Sequence, residues 1–384
     1  MLMTTALLPA TTPSSSFFMV QLSDPQLGLE HNGPPWQDEQ AMLNATLVEL
    51  NRLRPRFAVL TGDMQNWFPT KDSPDDQGGR ELTAVQQSLS LLDSSRVPLR
   101  ATLPGNHDVG DVPTATTLER YARHWGGSDR GSFDEDGIRF VSIDSQLYWN
   151  SSMPGVLALA EQQTTWLSQQ LDAAARQGAE AMVLLSHISP FVVASDEPSG
   201  WANWPRATRD AVLRMSQAKP VPPSLVVTGH FHANLDGRAS TDAYGARVEV
   251  VTSSSVGCSI HWNGSDAGAL APALALAVAT EPSGNAAFMN WVVRNGTSAG
   301  EPDFQLTAGR VAARAGRSGV RLYEFDATAG YRHRWFTLEQ LVALPEPLAG
   351  GDASPLAGTT FTGWSRAARA SRVERVERVE LRRS

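Results

Sequence analysis

Short apolar runs alternate with longer amphipathic stretches through residues 17–252. Apolar runs bounded by turn-forming residues predict β-strands at 17–22, 57–61, 97–103, 138–143, 181–186, 224–228 and 246–252. Between them, apolar positions at helical spacing predict helices at 37–54, 80–93, 114–125, 160–177 and 205–218. An alternation of strands and helices is typical of an α/β domain.

The alternation of predicted strands and helices stops near residue 257, and a regular pattern resumes near residue 318. The intervening stretch is rich in Gly, Ala, Ser and Pro, which predicts an insertion of irregular or weakly helical structure at 257–318. Residues 319–326 and 331–338 then predict a strand pair that returns to the core sheet. We therefore expect one domain over 17–344 that contains the insertion, with flexible termini at 1–16 and 345–384.

Composition narrows the class of protein. The chain has 384 residues, a formal net charge of -8 and one cysteine, Cys258. An acidic surface repels phosphate backbones, which argues against nucleic-acid binding through a broad basic face. A single thiol forms neither an intrachain disulfide nor a thiolate metal cage. With no apolar run of 18 residues and no signal-peptide pattern, we expect a cytoplasmic protein without a membrane partner; the oligomeric state stays open.

A carboxylate, amide or imidazole side chain, the types that can bind metals, follows each of five predicted strands. In chain order they are Asp24, Asp63, Asn106 with His107, His187, and His230 with His232. Loops at the carboxyl ends of strands meet at one edge of an α/β sheet, so these side chains are expected to converge. Their oxygen and nitrogen donors suit Mn, Fe, Zn or similar divalent ions. Because at least six donors exceed the need of one tetrahedral ion, the sequence favours two metal ions.

The order of these motifs resembles that of the calcineurin-like metallophosphoesterase superfamily. More narrowly, DPQLG (24–28), PGNHDVG (104–110), NWP (203–205) and GHFHAN (229–234) resemble the calcineurin-like phosphoesterase domain-containing protein 1 group. The resemblance covers about 17–256 and resumes near 318–344. It implies a four-layer α/β/β/α sandwich of the metallophosphoesterase type, with the metal ions at one sheet edge.

The resemblance also implies a role for each residue. Asp24, Asp63 and His232 would bind one ion, with Gln26 beside it. Asp63 would bridge to a second ion, which Asn106, His187 and His230 would also hold. His107 resembles the catalytic histidine, which contacts the phosphate or protonates the leaving group and is not a ligand. The expected nucleophile is a metal-bound water or hydroxide.

Two positions depart from the wider superfamily pattern. Gln26 stands where a histidine is usual, and an amide is a weaker metal ligand than imidazole. Asn66 stands where many protein phosphatases of the superfamily carry an aspartate that orients the catalytic histidine. We expect Asn66 to take part in catalysis by hydrogen-bonding His107, although it cannot stabilise an imidazolium as a carboxylate does.

Tryptophans near the metal loops are candidates for substrate contacts. We expect Trp67 and Trp204 to hold the organic part of a phosphoester, against the alternative that they are ordinary core or loop-anchoring residues.

The expected function is hydrolysis of phosphomonoesters. Phosphoserine or phosphothreonine proteins are the substrates that the narrower resemblance implies. A phosphodiesterase or nucleotide pyrophosphatase is the nearest alternative, since substrate class depends on loop shape rather than on the ligands. An alternative of another class is a non-catalytic metal-binding interaction module.

Overall fold

The computed structural model describes most of the predicted domain. Its described residues are 16–29, 35–69, 77–127, 129–150, 154–232, 234–239, 241–244, 247–257, 304–307, 310–313, 318–345 and 354–364. Within these ranges, no helix is both long and apolar enough to cross a membrane. Three parts lie mostly outside the described residues: 1–15 of the predicted terminus 1–16, most of the predicted insertion 257–318, and most of the predicted terminus 345–384.

A five-stranded sheet combines the first and last strands of the domain. Its strands are β1 (Phe17–Leu22), β2 (Phe57–Leu60), β3 (Leu99–Thr102), β12 (Gly319–Asp326) and β13 (Gly330–Thr337). They are ordered β13-β12-β1-β2-β3, with β1, β2 and β3 parallel and β12 antiparallel to β1. The predicted strand pair at 319–326 and 331–338 does return to the core sheet.

A six-stranded sheet contains the middle of the chain. Its strands are β4 (Gly131–Glu135), β5 (Ile138–Ser142), β6 (Ala181–Leu185), β7 (Pro223–Thr228), β8 (Leu235–Ala239) and β9 (Val248–Thr252). The order is β4-β5-β6-β7-β9-β8, and the four central strands are parallel. The edge strands β4 and β8 were not predicted, because neither has a sustained apolar pattern.

Five longer helices lie where the apolar spacing predicted them. They are α1 (Gln37–Leu53), α2 (Gln77–Leu89), α4 (Ala115–Trp125), α6 (Pro154–Arg176) and α7 (Arg206–Gln217). Four short helices were missed: α3 (Asn106–Val109), α5 (Ser145–Trp149), α8 (Thr241–Tyr244) and α9 (Leu338–Val342). Helices of four or five residues are too short for a period of 3.6 to be visible.

Alternating side chains build three apolar layers. Phe57 and Val59 of β2 face the second sheet, whereas Ala58 and Leu60 face the helices. The period of two along a strand sends neighbouring side chains to opposite faces, so both faces of this buried strand are apolar. One apolar cluster fills the space between the two sheets. A second lies between the five-stranded sheet and its helices, and a third lies between the six-stranded sheet and its helices. The predicted α/β/β/α sandwich is confirmed.

Two predicted segments need correction. Residues 304–307 and 310–313, inside the predicted insertion, form an antiparallel strand pair, β10 and β11, rather than irregular or helical structure. The predicted flexible terminus 345–384 is wrong for residues 354–364. Leu356 and Trp364 are buried there, and Thr362 exchanges two backbone hydrogen bonds with Tyr331 of β13. Apolar contact with the sheet holds this segment, which a composition argument does not detect.

Candidate metal centre

The polar side chains at the strand ends converge on one buried pocket. Asp63, His187 and His230 form one group, and Asp24, Asp63 and His232 form another. Within each group, the possible ligand atoms all lie within 4.8 Å of one another. Asp63 belongs to both groups, which is the geometry that a bridging carboxylate requires.

The backbone at this pocket is held in an unfavourable conformation. Asp24, Gln26, Asp63, His230 and His232 all have positive φ, between 32° and 68°. Residues with a Cβ rarely adopt this region, and such strain concentrates at functional sites. The tight turns bring these side chains to the end of the sheet. A Cβ at Gly105 or Gly229 would collide with Asp63 or Asp24, so only glycine fits beside them.

Asp108 ties the loops after β2 and β3 together. Its buried carboxylate accepts the backbone N–H groups of Asp63 at 2.8 Å, Met64 at 3.1 Å and Gly105 at 2.7 Å. Burial raises the pKa of Asp108 to about 7, and the charge of Asp63 adds to the increase. Asp108 was part of the quoted motif but was not among the predicted site residues. Its role depends on backbone donors from another loop, which spacing does not reveal.

Hydrogen bonds to carbonyl oxygens orient two of the histidines. His187 Nδ1 lies 2.8 Å from the Thr61 carbonyl oxygen, and His230 Nε2 lies 3.1 Å from the Trp201 carbonyl oxygen. A carbonyl only accepts, so these nitrogens carry the protons. His187 Nε2 and His230 Nδ1 are thereby left as potential metal ligands, which is the usual arrangement around a metal-binding histidine.

The other ring nitrogen of His187 lies close to oxygen atoms that are candidate metal ligands. Its Nε2 is 3.3 Å from Asp63 Oδ2 and 3.3 Å from Asn106 Oδ1. On the other side of Asp63, His232 Nε2 is 3.5 Å from Asp24 Oδ1. Asp24 itself is fixed by the hydroxyl of Ser23 and by the backbone N–H of His230.

Burial dominates the electrostatics of the pocket. It raises the pKa of Asp24 to about 7, against the opposing charge of His187. It lowers the pKa of His230 to about 3 and that of His232 to about 4, so both imidazoles are neutral at pH 7. Burial also opposes ionisation of Asp63 and His187. Their mutual attraction overrides it, so the pKa of Asp63 lies below its usual range and that of His187 rises to about 9.

The donor set fits a pair of divalent ions. Gln26 Oε1 and His232 Nδ1 are buried and have no hydrogen-bond partner among the described residues. A buried polar atom without a partner is costly, and a cation would relieve this cost at an amide oxygen. Carboxylates and imidazoles whose candidate ligand atoms lie within 4.8 Å of one another are typical of divalent-metal sites.

His107 is held beside the pocket by two contacts. Its Nδ1 donates a short hydrogen bond to the backbone carbonyl of Asn66, and its ring lies 4.2 Å from that of Phe68, centroid to centroid. The Asn66 side chain instead faces Gln26 Nε2 and the Gly28 carbonyl, at 3.4 and 3.3 Å. The prediction that Asn66 hydrogen-bonds His107 therefore needs correction, because the main chain makes the bond rather than the amide.

The aromatic residues are distributed differently from the prediction. Trp204 is fully buried against Tyr148 and donates to the Ile188 carbonyl at 2.9 Å, so its predicted contact with substrate is wrong. Trp67 is 42% exposed and remains a candidate. Trp201, whose ring centroid is 5.0 Å from that of His230, and Phe68 are aromatic neighbours of the pocket that were not among the predicted substrate contacts. Loop conformation decides which of these rings face the pocket.

Known proteins with similar sequences are phosphatases. The chain is 31% identical over 256 residues to the rat serine/threonine-protein phosphatase CPPED1, covering 64% of this chain and 76% of the relative. The human protein of that name is 30% identical over 259 residues, with coverage of 64% and 76%. No family model matches the chain.

Among solved structures, a dimetal phosphatase from Danio rerio is similar with a TM-score of 0.44 and 15% identity. That match covers 64% of this chain and 88% of the other. The family assignment rests on the sequence relatives. In the chain that resembles them, aspartates and histidines converge at the ends of parallel strands. The chain thus belongs to the calcineurin-like metallophosphoesterases, within the CPPED1 group (calcineurin-like phosphoesterase domain-containing protein 1), and is a metal-dependent hydrolase of phosphoesters.

Proposed function

We propose that the chain hydrolyses phosphomonoesters, with phosphoserine or phosphothreonine proteins as substrates. The observation that carries the proposal is the position of Asp63 in both ligand groups, because a shared carboxylate would hold two ions close enough to act on one phosphate. The substrate class is supported by the relatives, which are named serine/threonine-protein phosphatases.

We assign the metal ligands as the sequence predicted them. Asp24, Gln26, Asp63 and His232 would hold the first ion, and Asp63, Asn106, His187 and His230 the second. When bound, two divalent ions neutralise phosphate charge and lower the pKa of coordinated water. Mn, Fe or Zn suits these donors, although Gln26 favours a harder cation at the first position.

His107 is the proposed acid of the reaction. Its Nδ1 is committed to the Asn66 carbonyl, so Nε2 is the nitrogen available to contact a phosphate oxygen or protonate the leaving group. Phe68 covers one face of its ring, which limits rotation and access of water. Trp67 is the proposed contact for the organic part of the substrate.

The decisive experiment compares ester classes on one preparation. The chain is stripped with a chelator, reloaded with Mn, Fe or Zn, and assayed against p-nitrophenyl phosphate, bis(p-nitrophenyl) phosphate, and phosphoserine and phosphothreonine peptides. We expect the monoester and peptides to react faster than the diester. A preference for the diester would favour a phosphodiesterase or pyrophosphatase, and bound metal without turnover would favour an interaction module.

Four further expectations stay predictions: the cytoplasmic location, the absence of nucleic-acid and membrane partners, and the single domain over 17–344.

A further inference from the structure

Glu81 is a buried carboxylate of helix α2 that belongs to none of the metal motifs. We propose that Glu81 is a positioning residue for His107, which acts through the main chain of residues 66–68. The inference rests on the proposed function, since it concerns the residue assigned there as the acid.

Two backbone groups of the loop after β2 donate to one oxygen of Glu81. Oε2 accepts the N–H of Asn66 at 2.9 Å and the N–H of Trp67 at 2.8 Å. Hydrogen bonds to a carboxylate are stronger than those between neutral groups, and more so where water is excluded. Glu81 has no exposed surface, so these bonds fix the conformation of the loop at Asn66 and Trp67.

The segment fixed in this way makes both contacts that hold His107. The carbonyl of Asn66 accepts from His107 Nδ1, and the ring of the next residue but one, Phe68, lies against the imidazole. The carbonyl sets the tautomer, and the aromatic ring restricts the plane of the imidazole. A shift of the loop would disturb both together.

The first metal loop leaves room for this carboxylate. Gly28 has a φ of +100°, and a Cβ built on it would lie 2.7 Å from Glu81 Oε1. The Gly28 carbonyl also accepts from Asn66 Nδ2 at 3.3 Å. A side chain at position 28 would therefore push the Glu81 carboxylate away from the loop that it holds.

This arrangement accounts for the asparagine at position 66. The Asn66 side chain forms its hydrogen bonds with Gln26 and the Gly28 carbonyl. The carboxylate is supplied by Glu81 of α2 and acts on the backbone of residue 66. The histidine is oriented by a carbonyl that is itself positioned by a carboxylate. Such an effect changes the geometry of the acid without changing the metal ligands.

The test is a double-mutant cycle on the metal-loaded full chain, with p-nitrophenyl phosphate as substrate. Glu81→Gln keeps the shape but removes the charge, and we expect kcat to fall about tenfold, as for loss of a charge-assisted hydrogen bond. The metal content should stay unchanged. In a His107→Ala background, Glu81→Gln should have no further effect on kcat, because the group that it positions is gone.

Two outcomes would overturn the inference: equal loss of kcat in both backgrounds, or loss of metal with Glu81→Gln. Glu324→Gln is the matched control, since Glu324 is also buried but lies on β12 at the opposite end from the metal loops, and it should leave kcat unchanged. If Glu81→Gln does not fold, Gly28→Ala displaces the same carboxylate. Gly126→Ala controls for positive φ, because nothing lies within 4 Å of its added Cβ.

A spectroscopic readout separates this inference from the proposed function. Nitrogen-15 spectra of the His107 ring should show one tautomer, protonated at Nδ1, in the wild type and a mixture in Glu81→Gln. If the wild type binds metal but hydrolyses nothing, the proposed function fails while this measurement still decides the role of Glu81. Identical ring spectra in both proteins would contradict the inference.

Discussion

The backbone N–H of His107 donates to Oδ1 of Asp63 at 2.9 Å. The proposed acid and the proposed bridging carboxylate are thus joined through the main chain, not through the imidazole. The His107 side chain is therefore removable without loss of this hydrogen bond to Asp63, whereas a change at Asp63 acts on both proposed metal positions.

Replacement Asp63→Asn should abolish metal binding and activity together. The amide still accepts the His107 N–H, so the loop should fold, but the negative charge shared by both ligand groups is lost. Elemental analysis and the p-nitrophenyl phosphate assay check this. Asp172→Asn, at a partly exposed ion pair with Lys219, should change neither. Two ions retained by Asp63→Asn would contradict the bridging role.

Replacement His107→Ala should keep both ions and slow turnover by roughly 10²–10⁴-fold, the usual contribution of an acid–base group. Its backbone contact with Asp63 does not depend on the side chain. Kinetics and elemental analysis on the same sample check the two parts. His124→Ala, at an exposed position of α4, is the control. If His107→Ala loses metal as completely as Asp63→Asn, the assigned roles are wrong.

Replacement Gln26→His should tighten the first metal position and shift its preference toward Zn or Fe. Gln26 Oε1 is buried and has no hydrogen-bond partner among the described residues, which favours direct contact with an ion. Histidine tolerates the positive φ at this position better than most residues. Metal titration into both stripped proteins checks the prediction. Identical affinities and metal rankings would mean that position 26 does not touch the ion.

Glu249 of β9 should stabilise the fold in a pH-dependent manner. Burial opposes its ionisation, but the imidazole of His333 at 3.9 Å and the hydrogen bond donated by the Tyr331 hydroxyl at 2.5 Å lower its pKa from 4.5 to about 2. A depressed carboxyl pKa contributes stability that is fully present above 4.5 and is lost as pH falls toward 2.

The comparison of wild type with Glu249→Gln, both metal-free, isolates this effect. Urea unfolding should show a difference in the free energy of unfolding that is constant from pH 7 to about 5 and shrinks as the pH falls further. Glu135→Gln, at a partly exposed edge-strand position, should show little difference at any pH. A Glu249→Gln difference that does not vary with pH would contradict the lowered pKa.

The elements and the convergence of the metal-binding side chains were accessible from the sequence. Strand periodicity located β1, β2, β6 and β7, and within each of the two sheets the parallel arrangement carries the polar residue after each strand to the same end. This rule groups Asp24 with Asp63 and His187 with His230, and the packing of the two sheets then brings the two pairs together. Their assignment as ligands stays a prediction until metal binding is measured.

The contacts around these residues were decided by the tertiary structure. Trp204 and Trp201 lie three positions apart in one loop, yet one packs under Tyr148 and the other borders His230. Spacing along a loop does not determine the direction of a side chain, because loops have no fixed period.

The roles of Asn66 and Glu81 also could not be predicted from spacing along the chain. The sequence predicted that Asn66 lies near His107. It did not reveal that the Asn66 carbonyl, rather than its side chain, faces the imidazole, because this depends on the hydrogen bond from the Asn66 N–H to Glu81. That carboxylate comes from a helix 15 positions further along the chain. The residue that follows a strand lies at the end of the sheet because of the geometry of the strand itself. Its position can therefore be predicted from the local sequence. A hydrogen bond between a helix and a loop exists only after the two have packed, and the packing of the whole layer determines it.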